Sequence, residues 1–121
     1  MKKKILFVED DTDLAKIMVS VLTEEGYEVS QASNGEDALS FCATHTPDLI
    51  ISDVSMAEMD GFRFLEQIQL QERLKSTPFM FVTGFEVAAG VKKAKEMGAV
   101  AYVTKPFDLD NVLETVKTFL K

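Results

Sequence analysis

Several things are scarce in this chain, and each scarcity excludes something. A single cysteine, Cys42, among 121 residues rules out an intrachain disulfide, and a reducing, cytoplasmic setting is the simple expectation. Cys42 falls on the apolar face of a predicted helix, where packing is its expected role. The lone histidine, His45, sits at the far end of that helix, so no His–Cys metal site is expected. No apolar run approaches the ~20 residues of a membrane span. The run after Met1-Lys2-Lys3-Lys4 stops at Val8, short of the ~7–15 residues of a signal core, so the lysines read as a solvated lead-in to a strand. Basic residues are in deficit, 13 against 20 acidic for a net charge of -7, which argues against general nucleic-acid binding. With no linker, repeat or low-complexity tract, residues 1–121 read as one domain with a real core.

What is present is an alternation of strand and helix patterns. After Asp11-Thr12, either of which can cap a helix, apolar residues recur at Leu14, Ile17, Met18, Val21 and Leu22, until Gly26 ends the helix. Tyr27–Ala32 reads as a short strand. Asn34-Gly35 opens a second helix with Ala38, Leu39 and Cys42 on one face, and Pro47 stops it. Asp60-Gly61 precedes a third helix carrying Phe64, Leu65 and Ile68. The fourth, about 86–97, contains Ala88-Ala89-Gly90 and is expected to be the least stable, since a mid-helix Gly costs about 1 kcal/mol relative to Ala. The last helix is a stripe of Leu109, Val112, Leu113, Val116, Phe119 and Leu120. Five strands alternating with five helices predict an α/β fold with a parallel sheet covered on both faces. Right-handed crossovers leave few strand orders, of which the flavodoxin-like 2-1-3-4-5 is a common one; its ligands bind beyond the carboxyl ends of strands 1 and 3.

Four apolar segments run into polar residues. Ile5–Val8 leads to Glu9-Asp10-Asp11, Leu49–Ser52 to Asp53, Phe79–Val82 to Thr83, and Val100–Val103 through Thr104 to Lys105-Pro106. As parallel buried strands they would gather all these groups on one sheet edge. Glu9, Asp10 and Asp53 that close would repel one another, and a divalent cation removes the conflict. All-oxygen ligands favour Mg2+, Mn2+ or Ca2+, and Mg2+ retains waters that leave room for a phosphate oxygen. Lys105 can hold a phosphate or pair with Asp53, and Thr83 can donate to an anionic oxygen. A carboxylate so surrounded can attack phosphorus to form an acyl phosphate, with metal and lysine offsetting the developing charge.

These residues resemble the receiver domain of two-component response regulators over essentially the whole chain. The resemblance is carried by Ile5–Asp11, Pro47–Asp53, Met56-Ala57-Glu58-Met59-Asp60-Gly61, Val82-Thr83-Gly84 and Tyr102-Val103-Thr104-Lys105-Pro106-Phe107. It implies that Asp53 accepts a phosphoryl group from a histidine kinase or histidine phosphotransfer protein. It further implies that Glu9, Asp10, Asp53 and the Ser55 backbone carbonyl hold Mg2+, that Lys105 binds the phosphate, and that Thr83 and Tyr102 form the switch. A cis bond before Pro106 is also implied. Two residues depart from the usual pattern: Glu9 stands where aspartate is commoner, and Ala57 replaces a proline.

Phosphorylation is then expected to draw in the Thr83 hydroxyl, let Tyr102 fill the vacated space, and change the surface of helix four, strand five and helix five. Phe85 and Ser55, two residues after Thr83 and Asp53, are expected to set the lifetime of the acyl phosphate, with a bulky Phe85 slowing its loss. Lys92, Lys93 and Lys95 make a basic cluster on helix four, either a solvated face or a contact for an acidic partner or a second receiver, as in a homodimer. Two other classes compete. A phosphorylation-independent interaction module would be expected to have lost part of the quintet Glu9, Asp10, Asp53, Thr83 and Lys105, which is intact. A phosphatase would need an acid/base beside Asp53 where Ser55 stands, and a flavin carrier a phosphate-cradling first loop where the acids stand.

Overall fold

The computed structural model describes residues 2–56, 58–84, 87–105 and 108–120. The expectations placed on Ala57, Phe85, Glu86, Phe107 and the bond before Pro106 lie outside these residues. The elements are β1 (Lys4–Val8), α1 (Thr12–Glu24), β2 (Glu28–Ala32), α2 (Gly35–Cys42), β3 (Leu49–Ser52), α3 (Gly61–Gln69), β4 (Phe79–Thr83), α4 (Val87–Glu96), β5 (Ala101–Thr104) and α5 (Leu109–Phe119). All strand pairs are parallel, in the order β2-β1-β3-β4-β5. Both the fold class and the strand order agree with the sequence reading. Among the described residues no helix is long and apolar enough to cross a membrane.

Side chains alternate across the sheet because successive strand residues face opposite ways. Leu6, Val8, Ile50, Phe79 and Phe81 pack with residues of α2, α3 and α4. Ile5, Phe7, Leu49, Ile51, Met80 and Val82 pack with residues of α1 and α5. Strands β1, β3 and β4 lie inside and are covered on both faces, which explains their continuous apolar runs. The edge strands β2 and β5 are only partly buried.

The caps follow from local chemistry. The Asp11 side chain accepts from the Asp13 and Leu14 amides, Asn34 from Asp37, Asp60 from Arg63, and Asp108 from Asp110. At the end of α1, Gly26 takes φ 97°, and the Gly26 and Tyr27 amides donate to the carbonyls of Thr23 and Leu22. That closure draws Tyr27 into the helix cap, so β2 begins one residue later than its pattern suggests. Two apolar residues counted toward inner faces lie outward. Ile17 is 51% exposed because Ala15, Met18 and Leu22 form the buried row of α1, and Phe119 is 36% exposed beyond the Val112–Val116 row of α5.

Candidate functional site

The sheet ladder continues one residue past three strand ends. The Glu9 amide donates to the Ala32 carbonyl (3.0 Å), Asp53 to Val8 (3.1 Å) and Lys105 to Thr83 (2.8 Å). The backbones carrying the candidate groups are thus pinned to the sheet, and the side chains meet at its carboxyl edge. One carboxylate oxygen each of Glu9, Asp10 and Asp53 lies within 4.8 Å of the others. Lys105 Nζ reaches Asp53 Oδ2 at 3.0 Å and Glu9 Oε1 at 3.1 Å. Thr83 is fully buried, and its hydroxyl hydrogen-bonds the Asp53 carboxylate. Asp10 is exposed at the rim.

The Asp53 position is tightly built. Its Oδ1 accepts from the Ser55 amide at 3.2 Å, and its backbone carbonyl accepts from the Ser52 hydroxyl at 2.8 Å. The start of α3 presses against it: the Gly61 amide donates to the Val54 carbonyl at 2.7 Å, and a Cβ at Gly61 would stand 2.1 Å from the Asp53 carbonyl oxygen. Only glycine allows that approach. In the loop between, Glu58 adopts φ 67°, an uncommon left-handed conformation for a non-glycine residue. Sequence reasoning singled out Asp60-Gly61 as a helix start but missed Ser52 and the packing role of Gly61. The signal for Ser52 was a hydroxyl ending an otherwise apolar strand.

Electrostatics separates the two buried carboxylates. Burial pushes the Asp53 carboxyl up, but hydrogen bonds from Thr83 and Lys105, the charge of Lys105 and a bond from Glu9 more than offset it, leaving it below its ordinary value. Glu9 moves the other way, to about 7, because burial and the Asp53 charge outweigh its contacts with Lys105 and the Asp11 amide. Burial lowers Lys105, but Asp53 and Glu9 more than compensate and raise it. Asp53 therefore keeps its charge while Glu9 lacks a sufficient counter-charge. That shortfall, with three oxygen donors at one point, fits a small hard divalent cation.

The response regulator receiver domain family matches residues 5–117. The chain belongs to that family. It is 31% identical to sporulation initiation phosphotransferase F of Bacillus subtilis over 120 residues, 99% of this chain and 95% of that protein. It is 29% identical to the polar-differentiation response regulator DivK of Brucella anthropi, covering 99% and 98% of the two chains. The solved structure of the chemotaxis response regulator CheY4 of Vibrio cholerae superposes with a TM-score of 0.92 at 31% identity, covering 98% of this chain and 99% of that one. This receiver is accordingly a phosphoacceptor signalling domain of a two-component system. Receivers bind Mg2+ at an acidic pocket and work with histidine kinases or phosphotransfer proteins.

The candidate residues resolve into three groups. Glu9, Asp10, Asp53, Thr83 and Lys105 come together at one point. Ser55 is exposed and touches Asp53 through its amide. Tyr102 is half-buried, its ring 5.9 Å from that of Phe81, in the wall of a groove shared with Val91, Ala94 and Lys95.

Proposed function

We propose that residues 1–121 form one receiver in which Asp53 is the phosphoacceptor. An Asp53 oxygen attacks phosphorus, the new O–P bond forms as the P–N bond of a phosphohistidine breaks, and the imidazole leaves with the electron pair. The single observation that carries this is geometric: the buried Asp53 carboxylate, pinned at the end of β3, faces the Lys105 ammonium at 3.0 Å and the Thr83 hydroxyl. A nucleophile must be unprotonated to attack, and the contacts of Asp53 with Lys105 and Thr83 favour its ionised form. Lys105 Nζ orients Asp53 and then neutralises the transferred group, and the Thr83 hydroxyl donates to a phosphoryl oxygen. Glu9, Asp10, Asp53 and the Ser55 carbonyl would hold Mg2+, or Mn2+ in its place. The ion supplies positive charge to carboxylates and phosphoryl oxygens that would otherwise repel.

On this reading the receiver supplies the whole transfer chemistry itself, including later attack by water, with Ser55 and Phe85 setting the rate of loss. Movement of the Thr83 hydroxyl onto the phosphoryl group, with Tyr102 filling the space it vacates, then biases the face of α4, β5 and α5. That face would meet the output partner or a second receiver, while a kinase or phosphotransfer protein in the cytoplasm supplies the phosphoryl group and nucleic acid is not contacted directly. The test is intact-mass measurement after incubation with Mg2+ and acetyl phosphate. One added phosphoryl group, lost in Asp53→Asn, supports the reading. Continuous phosphate release over many turnovers, or an unchanged mass gain in the variant, overturns it.

A further inference from the structure

The amino edge of the sheet, opposite the carboxylates, is a basic pole on an acidic chain. Lys2, Lys3 and Lys4 are exposed there, in a chain of net charge -7. Their backbone is tied down. The Glu28 amide donates to the Lys3 carbonyl at 2.9 Å, the Asp48 amide to the Lys4 carbonyl at 2.7 Å, and the Lys4 amide to Asp48 Oδ2 at 2.7 Å. Among the described residues none of the three ammonium groups forms an ion pair. With Thr46 and Asp48 they line an open cleft of about 520 Å3. Lys4 and Thr46 also line a second, more enclosed cavity of about 110 Å3, together with Glu28, Ser30, Phe41 and His45, so the two spaces adjoin. Arg73 donates to the Thr46 hydroxyl oxygen and to the Cys42 and His45 carbonyls. That sets a fourth positive charge behind Thr46 and leaves the hydroxyl its own hydrogen to donate. The aromatic wall is fixed as well: the His45 ring stacks on Phe41 at 4.2 Å, and its Nδ1 donates to the Phe41 carbonyl at 3.1 Å.

We propose that this amino edge is a binding site for a sugar phosphate. The ammonium groups of Lys2, Lys3 and Lys4 and the Thr46 hydroxyl take the phosphate in the open cleft, and the sugar ring enters the smaller cavity beside the Phe41–His45 stack. Charge selects the anion: a phosphate monoester brings about 1.5–2 negative charges and three acceptor oxygens to ammonium groups that have no other partner. Asp48, the carboxylate in that cleft, already has one oxygen taken by the Lys4 amide. Size selects the other end. A cavity of about 150 Å3 holds a benzene ring, so 110 Å3 has room for one small ring and none for a dinucleotide. Polarity selects the kind of ring, because the Glu28 carboxylate and the Ser30 hydroxyl suit sugar hydroxyls and would be left unpaired by a hydrocarbon. The site is separate from the phosphoacceptor. The five residues of β1 hold the two edges roughly 15 Å apart, beyond the ~8–10 Å screening length at physiological salt, so the carboxylates at the far edge do not repel this ligand.

The test is an NMR titration of the full chain in chelator, following the backbone amides, with ribose 5-phosphate, ribose and inorganic phosphate as probes. Ribose 5-phosphate should give saturable shifts at residues 3–5, 28–30 and 45–48, and bind at least tenfold more tightly than ribose or inorganic phosphate. K4M should weaken it about tenfold, the usual loss of one charge-assisted hydrogen bond. S30L, which fills the cavity, should reduce it to the affinity of inorganic phosphate, whereas K92M, on α4, should leave it unchanged. Should S30L fail to fold, judged by circular dichroism, S30V replaces it with the same expectation. Absence of saturable shifts, inorganic phosphate binding as tightly as ribose 5-phosphate, or equal losses in K4M and K92M would overturn the proposal. Binding to phosphatidylglycerol vesicles through the same lysines, without binding of ribose 5-phosphate, would make the pole a membrane contact and overturn it too.

Discussion

Helices α3 and α4 cover the same face of the sheet but are held there by different means. Helix α3 buries Phe62, Phe64, Leu65 and Ile68, and its aromatic rings meet those of β4: Phe64–Phe79 at 5.5 Å and Phe62–Phe81 at 5.2 Å. Gly61 lets its first turn touch the Asp53 backbone. Helix α4 inserts Ala94 into the same cluster and has Gly90 in its middle. Two contacts on the solvent side tie it to α3: the Lys93 ammonium lies 4.6 Å from the Phe62 ring centre, and the Gln69 amide donates to the Met97 carbonyl. The difference teaches how chemistry and response can coexist. The helix that backs the acceptor is anchored by large apolar groups, whereas among the described side chains of α4, beside Thr83 and Tyr102, the buried apolar group is the Ala94 methyl, a footing that shifts at low cost.

The largest expected effect would come from loosening α3. Phe64→Ala should cost about 3–5 kcal/mol in urea unfolding, the usual range for a fully buried phenylalanine. The contrast between the helices breaks if that loss is no greater than the loss from trimming α4.

A pH effect should follow on the rigid side. The folded pKa of Glu9, about 7, lies above its ordinary 4.5, so between those values the folded chain holds a proton that the unfolded chain has lost. The metal-free protein should therefore lose stability as pH rises from about 4.5 to 7 and level off above. Asp53 has the opposite sign: its contribution is present above its ordinary value and is lost as acid reaches its depressed folded pKa. Thermal unfolding in chelator across this range checks the first slope. Mg2+, which needs the ionised form, should bind more weakly below about pH 7 and release protons as it binds.

On α4 the effects should be smaller. Ala94→Gly should cost about 1–2 kcal/mol, from helix propensity and the loss of one buried methyl. Smallest is Lys93→Met, which removes an exposed cation–aromatic contact worth about 0.5–1 kcal/mol. Both are read in the same urea titrations, and a loss from either that matched Phe64→Ala would place the anchoring of α4 elsewhere.

Much of this was legible in the sequence for a physical reason. Parallel strands buried on both faces must read as continuous apolar runs, so Ile5–Val8, Leu49–Ser52 and Phe79–Val82 announced themselves, and polar residues at their ends shared one edge by topology alone. What spacing could not show was which carboxylate a flexible lysine would choose. Lys105 was a partner for Asp53 on paper, and its second bond to Glu9 required side-chain geometry. Periodicity likewise could not tell the inner row of α1 from its flank, because a small Ala15 took the buried place and left Ile17 at the rim. Arg73 was invisible for a similar reason: it reaches back across the fold to the Cys42 and His45 carbonyls and the Thr46 hydroxyl, closing the end of α2 from a distant segment.

The most direct measurement is hydrogen exchange on the Mg2+-loaded protein before and after phosphorylation by acetyl phosphate. A chemistry-bearing wall that stays fixed beside a loosely held responding helix predicts altered protection in α4 and β5 and unchanged protection in α3. Equal changes in α3 and α4, or none in α4, would contradict it.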